Sequence, residues 1–296
     1  MMRRFLLCVA ILAALAPAAE ARHRHRAAVR PVPAITATSN LDEPVAAALK
    51  AAKSGRRVMV VFDIDNTLLT TPQDLGGDAW FTWKKAVNAN GLIADSTLLL
   101  QNSRMTTTQD DVPALISDLQ AHHVTVYALS ARGEALRTAT LSALHDKKIE
   151  LGTAPECGPP LCVKRGLIHD AQIRAAERRL GMAPQAAPYF DITVSDGVML
   201  VSGQDKGVML RLLLASLHRR YDDVFFVDDT EANVTNVRAA APGIPARVHP
   251  YSYTAFREDN IEFAQDPARQ AKAEDDLAGL KTKLCAAVQS AGCPQP

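Results

Sequence analysis

Three things are missing from this sequence, and each absence removes a class of function. There is no excess of one charge: 33 Lys and Arg stand against 32 Asp and Glu, for a net charge of +1. Nucleic-acid and anionic-membrane binders carry a basic surplus, so neither is expected as a partner. There is no apolar run of the roughly 20 residues that a membrane span requires. Phe5 to Ala16 is too short for that. Between Arg3-Arg4 and the small-x-small set Ala19-Glu20-Ala21 it reads instead as a secretory signal over residues 1–21. Bulky Leu6 and Leu7 precede Cys8 where a lipid attachment site calls for small residues, so no stable membrane anchor is expected. Loss of 1–21 removes Arg3, Arg4 and Glu20 and leaves acids and bases in balance. Finally, there is no Cys-x-x-Cys and no cluster of histidines near a cysteine, which argues against zinc. Cys157, Cys162, Cys285 and Cys293 form an even set in a chain expected to be exported. Local disulfides Cys157–Cys162 and Cys285–Cys293 are the favoured pairing.

What is present centres on one stretch. Val58 to Phe62 is an apolar run of strand length that ends on Asp63 and Asp65. Such a run reads as a strand buried on both faces of a parallel sheet. Alternate residues of an extended chain point the same way, so both acids face one crevice at the carboxyl edge, where open α/β sheets bind ligands. Residues 22–44, rich in Arg, His and Pro, read as a linker, and 45–296 as the folded region. Residues 71–112 break the strand–helix alternation and read as a small helical insertion. Its aromatics Trp80, Phe81 and Trp83 either line the mouth of a pocket or form the insertion's own core. The alternation then resumes. Val124–Leu129 is a strand delivering Ser130 and Arg132; Ile192–Val201 around Asp196-Gly197 is a hairpin. Lys206 opens an apolar helix, Val224–Val227 is a strand ending on Asp228-Asp229, and 262–290 is one polar amphipathic helix.

Two strands that each end in paired acids bring like charges together. Those charges must be protonated or share a cation. Oxygen ligands without Cys or His favour a hard ion, and Mg²⁺ suits a site that also takes a phosphate. Lys206 and Ser130 add a fixed cation and a hydroxyl donor. Any one of these features has a bland reading as a helix cap or a solvated end. Their order along the chain is far more specific.

In that order the segments resemble the haloacid dehalogenase superfamily. Phe62-Asp63-Ile64-Asp65-Asn66-Thr67-Leu68-Leu69 matches its first motif, and Tyr127-Ala128-Leu129-Ser130-Ala131-Arg132 its second. Gln204-Asp205-Lys206-Gly207 carries its lysine, and Phe225-Phe226-Val227-Asp228-Asp229-Thr230-Glu231-Ala232-Asn233 its acidic fourth motif. The likeness covers about residues 55–250. Within the superfamily, Asp78-Ala79-Trp80-Phe81 points to a poorly characterised bacterial family of exported members. Class B acid phosphatases are similar in the first motif and depart in the fourth. The resemblance implies a Rossmann-like three-layer α/β/α fold with a cap after the first strand. It implies an aspartyl-phosphate mechanism, with Asp63 as nucleophile and Asp65 as acid and base. Asp63, the carbonyl of Asp65, Asp228 and Asp229 would hold Mg²⁺, and Ser130, Lys206 and Thr67 the phosphate. Arg132 and Trp80 are candidate substrate contacts, and Asn233 an outer support. The expected function is an exported, periplasmic or extracellular phosphatase of small phosphomonoesters. A phosphotransferase of the same mechanism and a non-catalytic binding protein are the alternatives.

Overall fold

The computed structural model describes residues 32–162 and 166–288. The expected signal segment 1–21, the start of the expected linker and Cys293 lie outside them. In chain order the elements are β1 (Thr36–Thr38), α1 (Asp42–Lys53), β2 (Val58–Phe62), β3 (Leu69–Thr70), α2 (Asp78–Val87), α3 (Leu92–Asn102) and β4 (Thr106–Thr107). Next come α4 (Val112–Ala121), β5 (Thr125–Ser130), α5 (Arg137–Asp146), β6 (Leu167–Ile168), α6 (Asp170–Arg179), β7 (Ile192–Ser195) and β8 (Val198–Leu200). The chain continues through α7 (Lys206–Ser216), β9 (Asp223–Asp228), α8 (Glu231–Ala240), β10 (Arg247–Tyr253), α9 (Arg257–Gln265) and α10 (Pro267–Val288).

All five residues of β2 are buried, as an apolar run in the middle of a parallel sheet must be. The sheet has eight strands in the order β1-β10-β9-β2-β5-β8-β7-β6. It is parallel from β1 to β8, and only the β6–β7 and β7–β8 pairings are antiparallel. Alternation along the strands sends Met59 and Val61, Tyr127 and Leu129, and Val224 and Phe226 to one face. There they meet Ile173 of α6, Leu210 of α7 and Val234 of α8. Val58, Val60 and Phe62 point the other way, towards Val45 of α1, Ile116 of α4 and Leu144 of α5. The result is the expected α/β arrangement, a largely parallel sheet with helices on both faces. The β7–β8 hairpin turns at Asp196-Gly197, whose φ values of 53° and 73° suit a two-residue turn.

Two expectations about the chain's ends change. Thr36–Thr38, within the stretch read as linker, pairs with Tyr251–Tyr253 as the outermost strand, and α1 begins at Asp42. The single helix expected over 262–290 is two helices within the described residues, broken at Asp266. Pro267 cannot continue a helix and drives the residue before it extended, and Asp266 has φ −109° and ψ 96°. Asp266 Oδ1 then accepts from the N–H groups of Ala268 (2.9 Å) and Arg269 (3.1 Å), capping α10.

The insertion leaves and returns through the β3–β4 ribbon and contains α2 and α3. Its apolar side is not closed on itself. Leu75, Trp80, Leu92 and Leu99 share a core with Phe263, Ala273 and Leu277 of the C-terminal helices. Ion pairs Asp74–Arg269, Lys84–Glu274 and Asp95–Lys281 fasten the same seam.

Candidate functional site

Strand register decides which side chains meet. Phe62 of β2 lies opposite Val227 of β9, and the Asp63 N–H donates to the Val227 carbonyl (2.8 Å). Asp63 and Asp228, far apart in sequence, therefore leave the sheet at the same level. Ser130 ends β5, on the other side of β2. Lys206 opens α7, whose N-cap Asp205 accepts from the N–H of Val208 (3.0 Å). Gly207 follows because α7 crosses close to α8: a Cβ there would lie 2.3 Å from the Asn236 carbonyl. That close approach seats Lys206 under the strand ends.

Lys206 is fully buried, with Nζ 2.7 Å from Asp63 Oδ1 and 2.7 Å from Asp228 Oδ2. Burial alone would lower the lysine's pKa, but Asp228 and Asp63 outweigh it and hold the ammonium above its ordinary range. Asp228 Oδ1 accepts from the Thr230 N–H (2.9 Å) and from Asn233 Nδ2 (3.1 Å). Asn233 thus supports the acid that the fourth motif supplies. Burial pushes the Asp63 carboxyl up to about 8; Lys206 pulls it down, while Asp228 and Asp65 push it further up. Asp229 is also held well above the usual carboxylate range, by burial first and then by Asp78, Asp63 and Asp228. One lysine does not neutralise this group.

Carboxylate oxygens of Asp63, Asp228 and Asp229 all lie within 4.8 Å of one another. The set is all oxygen, converges on one point and carries surplus negative charge. It suits a hard divalent cation. Asp65 takes a different part. Its carboxylate receives Arg132 through two parallel bonds, Nε to Oδ2 (3.0 Å) and Nη2 to Oδ1 (2.8 Å). Arg132 is buried and also donates through Nη1 to Thr140 Oγ1 (3.0 Å), and its N–H donates to Ser130 Oγ (3.2 Å). The guanidinium expected to meet a substrate is instead committed to holding Asp65, because a planar fork matches a carboxylate.

Thr67 is fully buried, and its Oγ1 has no hydrogen-bond partner among the described residues. Trp80 is equally enclosed: it packs in the core shared with the C-terminal helices and donates through Nε1 to Glu274 Oε1 (3.2 Å). It therefore anchors the insertion and does not line the crevice. The insertion's own contribution is Asp78, the first residue of α2, which the sequence singles out only as part of the Asp78-Ala79-Trp80-Phe81 segment. Burial pushes its carboxyl up to about 6, with Asp65 and Asp228 adding to the rise.

Cys157 and Cys162 are disulfide-bonded, as expected, whereas Cys285–Cys293 extends outside the described residues. Among the described residues no helix is long and apolar enough to cross a membrane. No curated protein matches the chain. Residues 37–281 match a family described as "Protein of unknown function (DUF2608)", and the chain belongs to that family.

Proposed function

We propose that this protein is an exported Mg²⁺-dependent phosphatase of small phosphomonoesters, of the haloacid dehalogenase type. The observation that carries the reading is the convergence of Asp63, Asp228 and Asp229 around one point with Lys206 between two of them. Asp63, Asp228, Asp229 and the Asp65 carbonyl would hold the ion. Bound there, Mg²⁺ would offset the acids' charge and polarise the phosphoryl group.

The chain's own residues supply the rest. Asp63 attacks phosphorus in line; an O–P bond forms to its carboxylate as the bond to the leaving oxygen breaks. Asp65, aimed by Arg132, gives that oxygen a proton and later takes one from the water that releases phosphate. Lys206 and the Ser130 hydroxyl hold phosphoryl oxygens, the lysine as a fixed charge that needs no reorganisation during reaction. The signal-like start and the Cys157–Cys162 disulfide support export to an oxidising compartment.

The test is hydrolysis of p-nitrophenyl phosphate by the purified protein with Mg²⁺, followed by acid quench and peptide mass analysis. Metal-dependent turnover with one phosphoryl group on the peptide containing Asp63 is expected. Turnover that ignores chelator, or a phosphoryl group on another residue, would sink the proposal.

A further inference from the structure

The acids at the carboxyl edge of the sheet fall into two sets. Oxygens of Asp63, Asp228 and Asp229 converge within 4.8 Å of one another, and Asp65, only two residues from Asp63, is not among them. Its carboxylate is 31% exposed and is drawn aside by Arg132, through Nε to Oδ2 (3.0 Å) and Nη2 to Oδ1 (2.8 Å).

Arg132 is itself braced. Phe62 of β2 pairs with Ala128 of β5, so the chain beyond β5 runs beside the chain beyond β2. There the Arg132 N–H donates to Ser130 Oγ (3.2 Å), and its carbonyl accepts from the Ser202 N–H (2.9 Å). Nη1 donates to Oγ1 of Thr140 (3.0 Å), a fully buried residue of α5. Nη2 also lies 3.0 Å from Sδ of Met105, which is buried just before β4, where the insertion returns. A planar fork held from α5 and from the insertion cannot follow Asp65 if that carboxylate turns. It sets where the carboxylate stays.

Charge supplies the need for such a brace. A divalent ion among three carboxylates attracts a fourth one close by, and the number of charged ligands tunes cation affinity. An Asp65 carboxylate drawn onto the ion would no longer be free to exchange a proton with the leaving oxygen. Resting on the phosphatase reading, we propose that Arg132, steadied by Thr140 and Met105, is a positioning residue. It withholds the Asp65 side chain from the cation and reserves it for the leaving group.

The test is Arg132→Met, with melting temperature as the folding control. Titration calorimetry without substrate is expected to show Mg²⁺ bound at least about threefold more tightly than by wild type, as an added charged ligand allows. Asp65→Asn should cancel the gain, so that the Arg132→Met/Asp65→Asn pair binds Mg²⁺ no more tightly than Asp65→Asn alone. The second readout is kcat/KM, which follows departure of the leaving group. Nitrophenolate leaves without a proton, whereas an alkoxide needs one. Arg132→Met should therefore lose about 100-fold on propyl phosphate but less than about tenfold on p-nitrophenyl phosphate. Thr140→Val and Met105→Leu keep side-chain size, should show the same pattern more weakly, and serve if Arg132→Met does not fold.

Unchanged Mg²⁺ affinity overturns the proposal. So does a gain that survives in the Arg132→Met/Asp65→Asn pair, because it then comes from the lost positive charge alone. Equal losses on the two esters overturn the role of Arg132 and leave the phosphatase reading standing. If wild type hydrolyses no ester, the phosphatase reading falls, and the calorimetry still decides whether Arg132 withholds Asp65.

Discussion

Strand β9 begins on Asp223 and ends on Asp228, and both carboxylates are buried. At its amino end Asp223 is fully answered: His249 Nε2 lies 2.7 Å from Oδ1, and the Arg56 guanidinium pairs with Oδ2. The His249 ring is stacked on Phe225 with centroids 4.4 Å apart, which fixes its place. Next to it Asp222 takes Arg57 through two bonds (2.8 and 3.2 Å). At the carboxyl end Asp228 shares one lysine with Asp63, while Asp229 and Asp78 crowd in without a cation of their own. The same residue type, at the two ends of one strand, thus has two meanings. Where acids and bases balance, the network holds the fold together. Where acids outnumber bases in a buried place, the protein retains a cost that a ligand can relieve.

The largest expected contrast is in turnover. Asp63→Asn should lower phosphatase activity by at least about 1,000-fold, since removal of a nucleophile leaves only residual catalysis. Asp223→Asn should leave kcat within about twofold of wild type, because it lies at the opposite edge of the sheet. Steady-state assays of the two variants check this, and equal losses would erase the distinction between the edges. Next in size, Lys206→Met strands two buried carboxylates and should cost about 3–5 kcal/mol in chelator-treated protein, measured by urea unfolding. Added Mg²⁺ should restore more stability to this variant than to wild type; no restoration would mean that the acids do not bind the ion. Asp223→Asn should cost less, about 1–3 kcal/mol. Its partners Arg56 and His249 reach solvent in part, so they can rehydrate when the carboxylate is gone.

The most discriminating effect is the pH dependence of stability. The Asp63 carboxyl is held at about 8 in the fold against an ordinary 3.8, so the metal-free fold keeps a proton that the unfolded chain has released. Stability from this site is full below about pH 4 and is lost as pH rises to about 8, by up to about 1.4 kcal/mol per pH unit for one proton. Asp222 has the opposite sign. Its hydrogen bonds to Arg57 lower its pKa, so its contribution is present above the ordinary carboxylate range and fades as pH falls. Thermal melting in chelator between about pH 5 and 8 should show a decline for wild type that is shallower in Asp63→Asn. Parallel curves for the two proteins would contradict it.

Much of the fold was legible because its signals are local. Val58–Phe62 and Val224–Val227 are apolar throughout, as strands covered on both faces must be, and Asp196-Gly197 turns a hairpin by its own backbone preference. The break before α10 was not legible, because a continuous polar pattern hides the Asp-Pro pair that stops one helix and caps the next. Arg132, Trp80 and Asp78 were not legible in the same way. An arginine two residues past a strand suits a substrate as well as it suits Asp65. Only the packing of β5 beside β2 chooses between them.

By itself, then, the sequence determined the strands, their acidic ends and the lysine that opens α7, because apolar runs, charge pairs and helix starts depend on neighbours in the chain. Tertiary structure alone decided that Asp63 and Asp228 emerge level. It also decided that Arg132 is spent on Asp65, and that the insertion leans on the C-terminal helices. Those outcomes rest on register and on packing between segments far apart in the chain, where a shift of one residue would turn every side chain to the other face.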